Sequence, residues 1–129
     1  TNGSASLTIP AALNASYYLV VKHRNSLETW SANPVSFAGS SISYSFSTGI
    51  SQAFGSNLKG MGGLYLIYGG DVNQDGSVDT GDMTPVDNAA SEYSIGYLPT
   101  DVNGDGVIDT ADVTVVDNNG ATYVSVSAP

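Results

Sequence analysis

The sequence feature that most constrains the fold is an internal repeat with an offset of 30 residues. The segment DVNQDGSVDTGD at residues 71–82 returns as DVNGDGVIDTAD at residues 101–112. Extending the alignment over residues 71–90 and 101–120 gives 12 identities in 20 positions. Two copies in register predict one structural unit that is built from two equivalent halves.

The spacing of oxygen-bearing residues in each copy is typical of a calcium loop. Calcium takes six to eight oxygen ligands, and a twelve-residue loop can supply them from positions 1, 3, 5, 7, 9 and 12, with glycine at position 6 for the sharp turn. Gly76 and Gly106 occupy position 6. At position 8, Val78 and Ile108 are the apolar pair expected to tie the loops into one unit. The sequence therefore predicts two bound Ca²⁺ per chain.

The predicted ligands occupy the same positions in both loops, and position 7 contributes its backbone carbonyl. They are Asp71, Asn73, Asp75, Ser77, Asp79 and Asp82 in the first loop and Asp101, Asn103, Asp105, Val107, Asp109 and Asp112 in the second. Ordinary Asp-Gly turns do not explain an acid at positions 1, 5, 9 and 12 twice. Without metal, four carboxylates per loop would repel one another, so the cation is predicted to be a folding ligand.

Charge is divided unevenly along the chain. The first seventy residues contain all three basic residues and a single acid, Glu28, whereas the remaining residues contain eleven acids and no Lys or Arg. The net charge of −9 is therefore the sum of a part with +2 and a part with −11. The acidic part would repel phosphate backbones, which argues against nucleic acid as a partner.

The residues before the repeat favour a β structure. Short stretches rich in Tyr, Val, Ile and Phe alternate with Ser, Gly, Asn and Pro. Strands are expected at residues 6–9, 16–23, 27–31, 35–37, 41–47 and 63–68, with one more at 122–127. We expect a mainly β chain in which a small β-sandwich-like domain, residues 1–70, packs on the calcium unit, residues 71–120. Residues 121–129 would form a C-terminal strand that returns to the β domain.

The two loops resemble the duplicated calcium loops of type I dockerins, the modules that dock enzymes onto cohesin scaffolds. The resemblance covers roughly residues 70–120 and includes Asp rather than Glu at position 12. It implies an EF-hand-like unit with a helix after each loop. Both helices are expected to be short, since Pro85 lies early in the first and Asn118 begins the polar end of the second after about two turns.

The same resemblance implies a cohesin contact surface at positions 10 and 11 of each loop. These positions are Thr80, Gly81, Thr110 and Ala111. Residues 17–31 also resemble the stretch that precedes paired dockerin-like loops at the C-terminal end of large secreted bacterial surface proteins. This implies a secreted protein at the cell surface or outside the cell.

Several classes of function are disfavoured by composition. The chain has no Cys, so a disulfide framework, a zinc-thiolate site and a cysteine nucleophile are excluded. It has no apolar run near the roughly 18 residues of a membrane span. His23 is the only histidine, and no nucleophile–base pair suggests itself, so the chain is predicted not to be an enzyme. Trp30 and the tyrosines could serve a core, an interface or a sugar-binding platform.

Residues 1–12 motivate the leading functional hypothesis. This segment is polar at its start, alternates apolar and polar residues over 5–9 and is stopped by Pro10, and it could complete its own sheet or be donated to a neighbouring subunit as an added strand. Head-to-tail donation repeats without closing and yields a fibre. We therefore expect a non-enzymatic, calcium-stabilised extracellular assembly or adhesion module, with a dockerin-like anchor for a cohesin-like partner or a carbohydrate-binding module as alternatives. Asn2, Asn14 and Thr110 lie in short patterns that glycosylation systems use, which predicts possible sites of covalent glycans.

Overall fold

The structure is a computed structural model that describes residues 4–39 and 41–129. Its strands are β1 (Ser16–Tyr17), β2 (Val20–His23), β3 (Ser26–Trp30), β4 (Val35–Ser36), β5 (Lys59–Met61) and β6 (Leu64–Leu66). They form three separate antiparallel pairs, β1 with β4, β2 with β3, and β5 with β6. Two single 3₁₀ turns, Ile50–Gln52 and Phe54–Ser56, lie between β4 and β5.

These three pairs differ from the expected sandwich. Residues 6–9 and the described residues 41–47 contain no strand, and the strand expected at 16–23 is divided into β1 and β2. Helical residues outnumber strand residues in the described chain, so it is a small mixed fold rather than a mainly β one. The physical reason is that strands of two to five residues form too few ladder bonds to build larger sheets by themselves.

Two helices begin within the predicted loops, at position 10 of each, α1 (Thr80–Ser91) and α2 (Thr110–Gly120). Asp79 and Asp109 are the N-cap residues, and each forms a capping box with the acid three residues later. The helices have 12 and 11 residues, about three turns each, so α2 is longer than the expected two turns. The last turn of α2 is held by tertiary contacts, because the buried Asn119 side chain donates to the Gly69 carbonyl at 2.8 Å.

The segment after each helix pairs with the calcium loop of the other repeat. Ser125 forms an antiparallel bridge with Ser77 of the first loop, and Ile95 forms one with Val107 of the second. At the first loop, the Val78 N–H donates to the Val124 carbonyl at 2.9 Å, and the Val126 N–H donates to the Gly76 carbonyl at 2.8 Å. At the second loop, the Ile108 N–H donates to the Ser94 carbonyl at 3.0 Å, and the Gly96 N–H donates to the Gly106 carbonyl at 2.8 Å. The structural repeat is therefore longer than the repeat in sequence. The C-terminal segment, expected as a strand in the β domain, pairs instead with the first loop.

The main apolar core lies between the two helices, the two loops and β3. Its buried members are Leu27, Val78, Val86, Ile108 and Val116. Both position 8 residues belong to this cluster, which joins the loops as the sequence predicts. Leu27 is the only buried member that precedes the loops, and its backbone N–H donates to the Tyr68 carbonyl at 2.9 Å. The core therefore includes one residue of the β region.

Candidate metal centres

The predicted ligands of the first loop fold it through bonds to the backbone. Asn73 Oδ1 accepts from the N–H of Asp75 at 2.8 Å, and Asp75 Oδ1 accepts from the N–H of Ser77 at 3.0 Å. Asp79 Oδ1 accepts from the N–H of Gly81 at 2.6 Å. Such side-chain-to-backbone turns curl the chain around a common centre. Gly76 has a φ of 91°, a conformation that favours glycine at this turn.

The second loop repeats this pattern. Asn103 Oδ1 accepts from the N–H of Asp105 at 2.8 Å, and Asp105 Oδ1 accepts from the N–H of Val107 at 2.9 Å. Asp109 Oδ1 accepts from the N–H of Ala111 at 2.7 Å. The φ of 86° at Gly106 matches that of the equivalent glycine in the first loop. Equivalent sequences thus give equivalent local structures.

The acid at position 12 fastens the two ends of each loop. Asp82 Oδ1 accepts from the N–H groups of Val72 (2.8 Å) and Asn73 (3.1 Å), and its Oδ2 accepts from Asp79 N–H at 3.0 Å. Asp112 makes the same three bonds, at 2.7, 3.0 and 3.0 Å. Both residues are fully buried. A carboxylate has about four lone-pair sites, so in this geometry about one remains for a cation.

The negative charge at position 1 of the first loop, on Asp71, forms no ion pair in the described residues. Asp71 is buried, and its Oδ1 has no hydrogen-bond partner in the described part of the chain. Its Oδ2 accepts only a long bond, 3.3 Å, from the N–H of Gly76. Burial raises the pKa of Asp71 above its usual range and the nearby charge of Asp82 raises it further, although the backbone N–H groups of Gly76 and Gln74 oppose this in part. A buried, unpartnered carboxylate oxygen beside a second carboxylate fits a cation.

The equivalent residue of the second loop, Asp101, meets the turn between β2 and β3. Arg24 Nη2 donates to the Asp101 carbonyl at 2.8 Å and lies 3.4 Å from its Oδ2. The buried Asn25 side chain donates to the same carbonyl at 2.7 Å. Sequence reasoning did not assign a role to Arg24 or Asn25, because more than seventy residues separate them from the loop and no motif marks them.

Within residues 4–39 and 41–129, no three aspartate, glutamate or histidine side chains come together as a metal-binding group on their own. The reason is visible in the loops, where backbone N–H groups occupy many of the carboxylate oxygens. The predicted ligand set does not depend on acids alone, since it includes the asparagines at position 3 and the carbonyls at position 7. Ion binding would therefore require the carboxylates of each loop to turn toward its centre.

The other candidate residues have ordinary surroundings. His23 is exposed, and its Nδ1 lies 3.4 Å from the Ser26 hydroxyl. Trp30 is partly buried, its Nε1 donates to Glu28 at 2.6 Å, and Tyr18 packs edge-on at a centroid distance of 5.9 Å. This arrangement is an aromatic cluster rather than a flat platform for a sugar ring.

The predicted cohesin-contact and glycan positions are accessible where the structure describes them. Thr80, Gly81, Thr110 and Ala111 are all exposed at the first turns of α1 and α2. Asn14 is exposed as well. Asn2 lies outside the described residues.

Residues 69–119 match the family model of the dockerin type I domain. The match confirms the predicted resemblance of this segment to the dockerin type I domain, and it supports a calcium-binding role for the segment. A comparison with curated proteins finds no match, and a comparison with solved structures finds none either. In the described chain, neither helix has the length and apolar character needed to cross a bilayer.

Proposed function

We propose that this chain is a calcium-stabilised, non-enzymatic extracellular module that self-associates when one subunit donates its N-terminal strand to the next. The observation that carries the proposal is the unpaired state of residues 5–9. These residues are exposed, and they form no strand with any described part of the chain. Each sheet of the described chain has only two strands, so every strand keeps an edge at which another strand can add.

An open groove lies beside the N-terminal segment. It has a volume of about 590 Å³, and residues of the segment line it together with Leu19, Phe37, Ile42 and Tyr44. Leu7 lines this groove and yet is 83% exposed, so the segment covers the apolar surface incompletely. A donated strand with apolar residues on alternate positions would bury this surface and gain backbone hydrogen bonds.

The calcium unit would provide the rigid body of each subunit. We propose one Ca²⁺ in each loop, held by the twelve predicted ligand residues. Bound calcium would supply two positive charges to each loop and join oxygens from both of its ends. The unpartnered Asp71 Oδ1 and the nearby charge of Asp82 support this assignment in the first loop, and the matching geometry of the second loop extends it.

Deletion of residues 1–12 tests the strand donation. In calcium buffer the full chain should form oligomers or filaments, visible by light scattering and electron microscopy, and the deleted chain should be monomeric. A double variant, Leu7→Asp with Ile9→Asp, should also prevent assembly because both residues share one face of the strand. Thr8→Asp is the matched control, since its side chain would point away from the groove. The same oligomeric state before and after deletion would contradict the proposal.

A second function is favoured by the dockerin type I match: anchoring to a cohesin-like partner. The contact surface would include Thr80 and Thr110, which are exposed at equivalent helix starts. In this case the chain should be a monomer that binds a type I cohesin by calorimetry only when calcium is present. Thr80→Arg with Thr110→Arg should abolish binding, whereas Ser91→Arg, at the exposed end of α1, should preserve it.

A further inference from the structure

The two loops share a sequence pattern but differ in how the charge of their first aspartate is balanced. Asp71 and Asp101 are equally buried, at 2% and 1% exposure. Asp71 Oδ1 has no partner in the described chain, whereas Asp101 Oδ1 accepts from the N–H of Gly104 at 2.8 Å. Asp101 Oδ2 lies 3.4 Å from the guanidinium of Arg24. The second loop therefore has a positive charge supplied by the chain itself.

Arg24 is fixed in this position by three further contacts. Its Nε donates to the Leu98 carbonyl at 3.0 Å, and its Nη2 donates to the Asp101 carbonyl at 2.8 Å. The centre of the guanidinium lies 3.5 Å from the centroid of the Tyr97 ring. An arginine that is hydrogen-bonded, stacked and 81% buried keeps its charge close to the loop at little further entropic cost.

The first loop has a neutral group in the corresponding place. The Asp71 carbonyl accepts from the side-chain amide of Gln74 at 2.5 Å, and the same amide lies 3.3 Å from the Ser26 carbonyl. In the described residues, no Lys or Arg forms an ion pair with a carboxylate of this loop. The turn between β2 and β3 thus touches both loops, but it brings a positive charge only to the second.

We propose that Arg24 is a built-in counter-cation of the second loop, which makes the two calcium sites unequal. It is a positioning residue that fixes Asp101 and neutralises part of the loop before any metal arrives. Two consequences follow from the electrostatics. Without calcium, the second loop should stay more ordered than the first. The second loop should also bind calcium more weakly, because Arg24 repels the ion and competes for Asp101.

A unit charge a few ångströms from a divalent ion in a largely solvated site changes affinity by about tenfold. Hydrogen exchange with mass spectrometry can follow the two loops separately in the full chain, whatever its state of association. Peptides that cover residues 71–82 and 101–112 would be monitored over buffered steps of free calcium. In the wild-type chain, the first loop should become protected at a free calcium concentration about tenfold lower than the second. At zero calcium, the second loop should exchange more slowly.

Three variants separate charge from packing. Arg24→Gln should make the two loops become protected at the same free calcium concentration, so that their calcium midpoints coincide. It should also remove the extra protection of the second loop at zero calcium. Arg24→Lys keeps the charge and should preserve most of the difference. Lys22→Gln removes an equal charge from the neighbouring strand β2, but Lys22 pairs with Glu28 rather than with a loop, so the calcium midpoints of both loops should stay unchanged.

Equal midpoints for the two loops in the wild-type chain would overturn the proposal, and this outcome does not depend on how any variant folds. Identical behaviour of Arg24→Lys and Arg24→Gln would overturn it as well, because it would assign the effect to packing alone. The inference rests on calcium binding and not on strand donation. A chain that binds calcium unequally yet stays monomeric would therefore support this inference while contradicting self-association.

Discussion

Residues 71–129 and residues 4–70 differ in how completely they satisfy their own backbone and bury their own apolar side chains. In the first of these regions, each loop pairs with the segment that follows the opposite helix, and four of the five core residues lie there. In the second, the described strands form pairs only, and Leu7, Met61 and Leu64 remain mostly exposed. A duplicated unit can close upon itself, whereas a set of short hairpins keeps open edges.

The contact between the regions depends on charge as well as on packing. Two of the three basic residues of the chain reach the calcium unit, Arg24 at Asp101 and Lys59 at Asn119. Lys59 Nζ lies 2.7 Å from Asn119 Oδ1, close to the C-terminal end of α2, where the helix dipole favours a cation. The weakly basic region therefore stabilises the acidic one locally.

Of the changes considered, removal of calcium should have the largest effect on the stability of residues 71–129. At free calcium about 100-fold above the dissociation constant, two sites together stabilise the fold by about 5 kcal/mol. Chelation should therefore lower the melting temperature of α1 and α2, followed by circular dichroism, by about 15 °C or more. Readdition of calcium after chelation is the control. An unchanged melting curve would contradict a structural role for the metal.

Leu27→Ala should show whether the β region contributes to the stability of the calcium unit. Leu27 is 1% exposed within the shared core, so its truncation should lower the free energy of unfolding by about 3 kcal/mol in saturating calcium. Leu64→Ala removes the same atoms from a side chain that is 59% exposed and should change this free energy by less than about 0.5 kcal/mol. Denaturant unfolding measures both. Equal effects would mean that Leu27 does not join the two regions.

Asn25→Ala should have an intermediate effect. The substitution removes the bond from the buried Asn25 amide to the Asp101 carbonyl, at a cost of about 1–2 kcal/mol. Asn33→Ala, at an exposed position, is the matched control and should be close to neutral. Denaturant midpoints in saturating calcium distinguish the two variants. A neutral Asn25→Ala would indicate that Arg24 alone holds the turn against the second loop.

Glu28→Gln should have the smallest effect and should leave the calcium unit unchanged. The hydrogen bond from Lys22 is the main cause that holds the pKa of Glu28 below its usual value of 4.5, although burial opposes it. A lowered pKa stabilises the folded chain above pH 4.5, and this contribution is lost as the pH falls through the folded-state value.

The free energy of unfolding of the wild type should exceed that of Glu28→Gln by about 0.5 kcal/mol at neutral pH, and the difference should vanish near pH 3. Paired unfolding curves at both pH values measure it. A difference that persists in acid would mean that the pair with Lys22 is not its source.

Much of the calcium unit could be predicted from local pattern. Each helix begins at position 10 of its loop, because the aspartate at position 9 caps it and the aspartate at position 12 occupies the third helical position. Val78 and Ile108 are buried together, as their spacing indicates. The length of α2 exceeds the predicted two turns, since its last turn depends on the contact of Asn119 with Gly69 and not on local propensity.

The β region could be predicted less well for a related reason. Alternation at residues 6–9 and 41–47 favours strands, but a strand forms only where a partner edge is available. The C-terminal segment illustrates the same dependence. Its alternating Val124 and Val126 indicate a strand, yet the partner is the first calcium loop rather than the sheet.

By itself the sequence determined the two loops, the starts of their helices and the division of charge, because ligand spacing and helix capping act within about a dozen residues. Only the tertiary structure decided that the turn with Arg24 and Asn25 lies against the second loop. It leaves the first loop without an arginine beside its first aspartate. Such contacts join residues that are far apart in the chain. They depend on which strand edges and buried polar groups pack together in the folded chain, and no short sequence pattern specifies that packing.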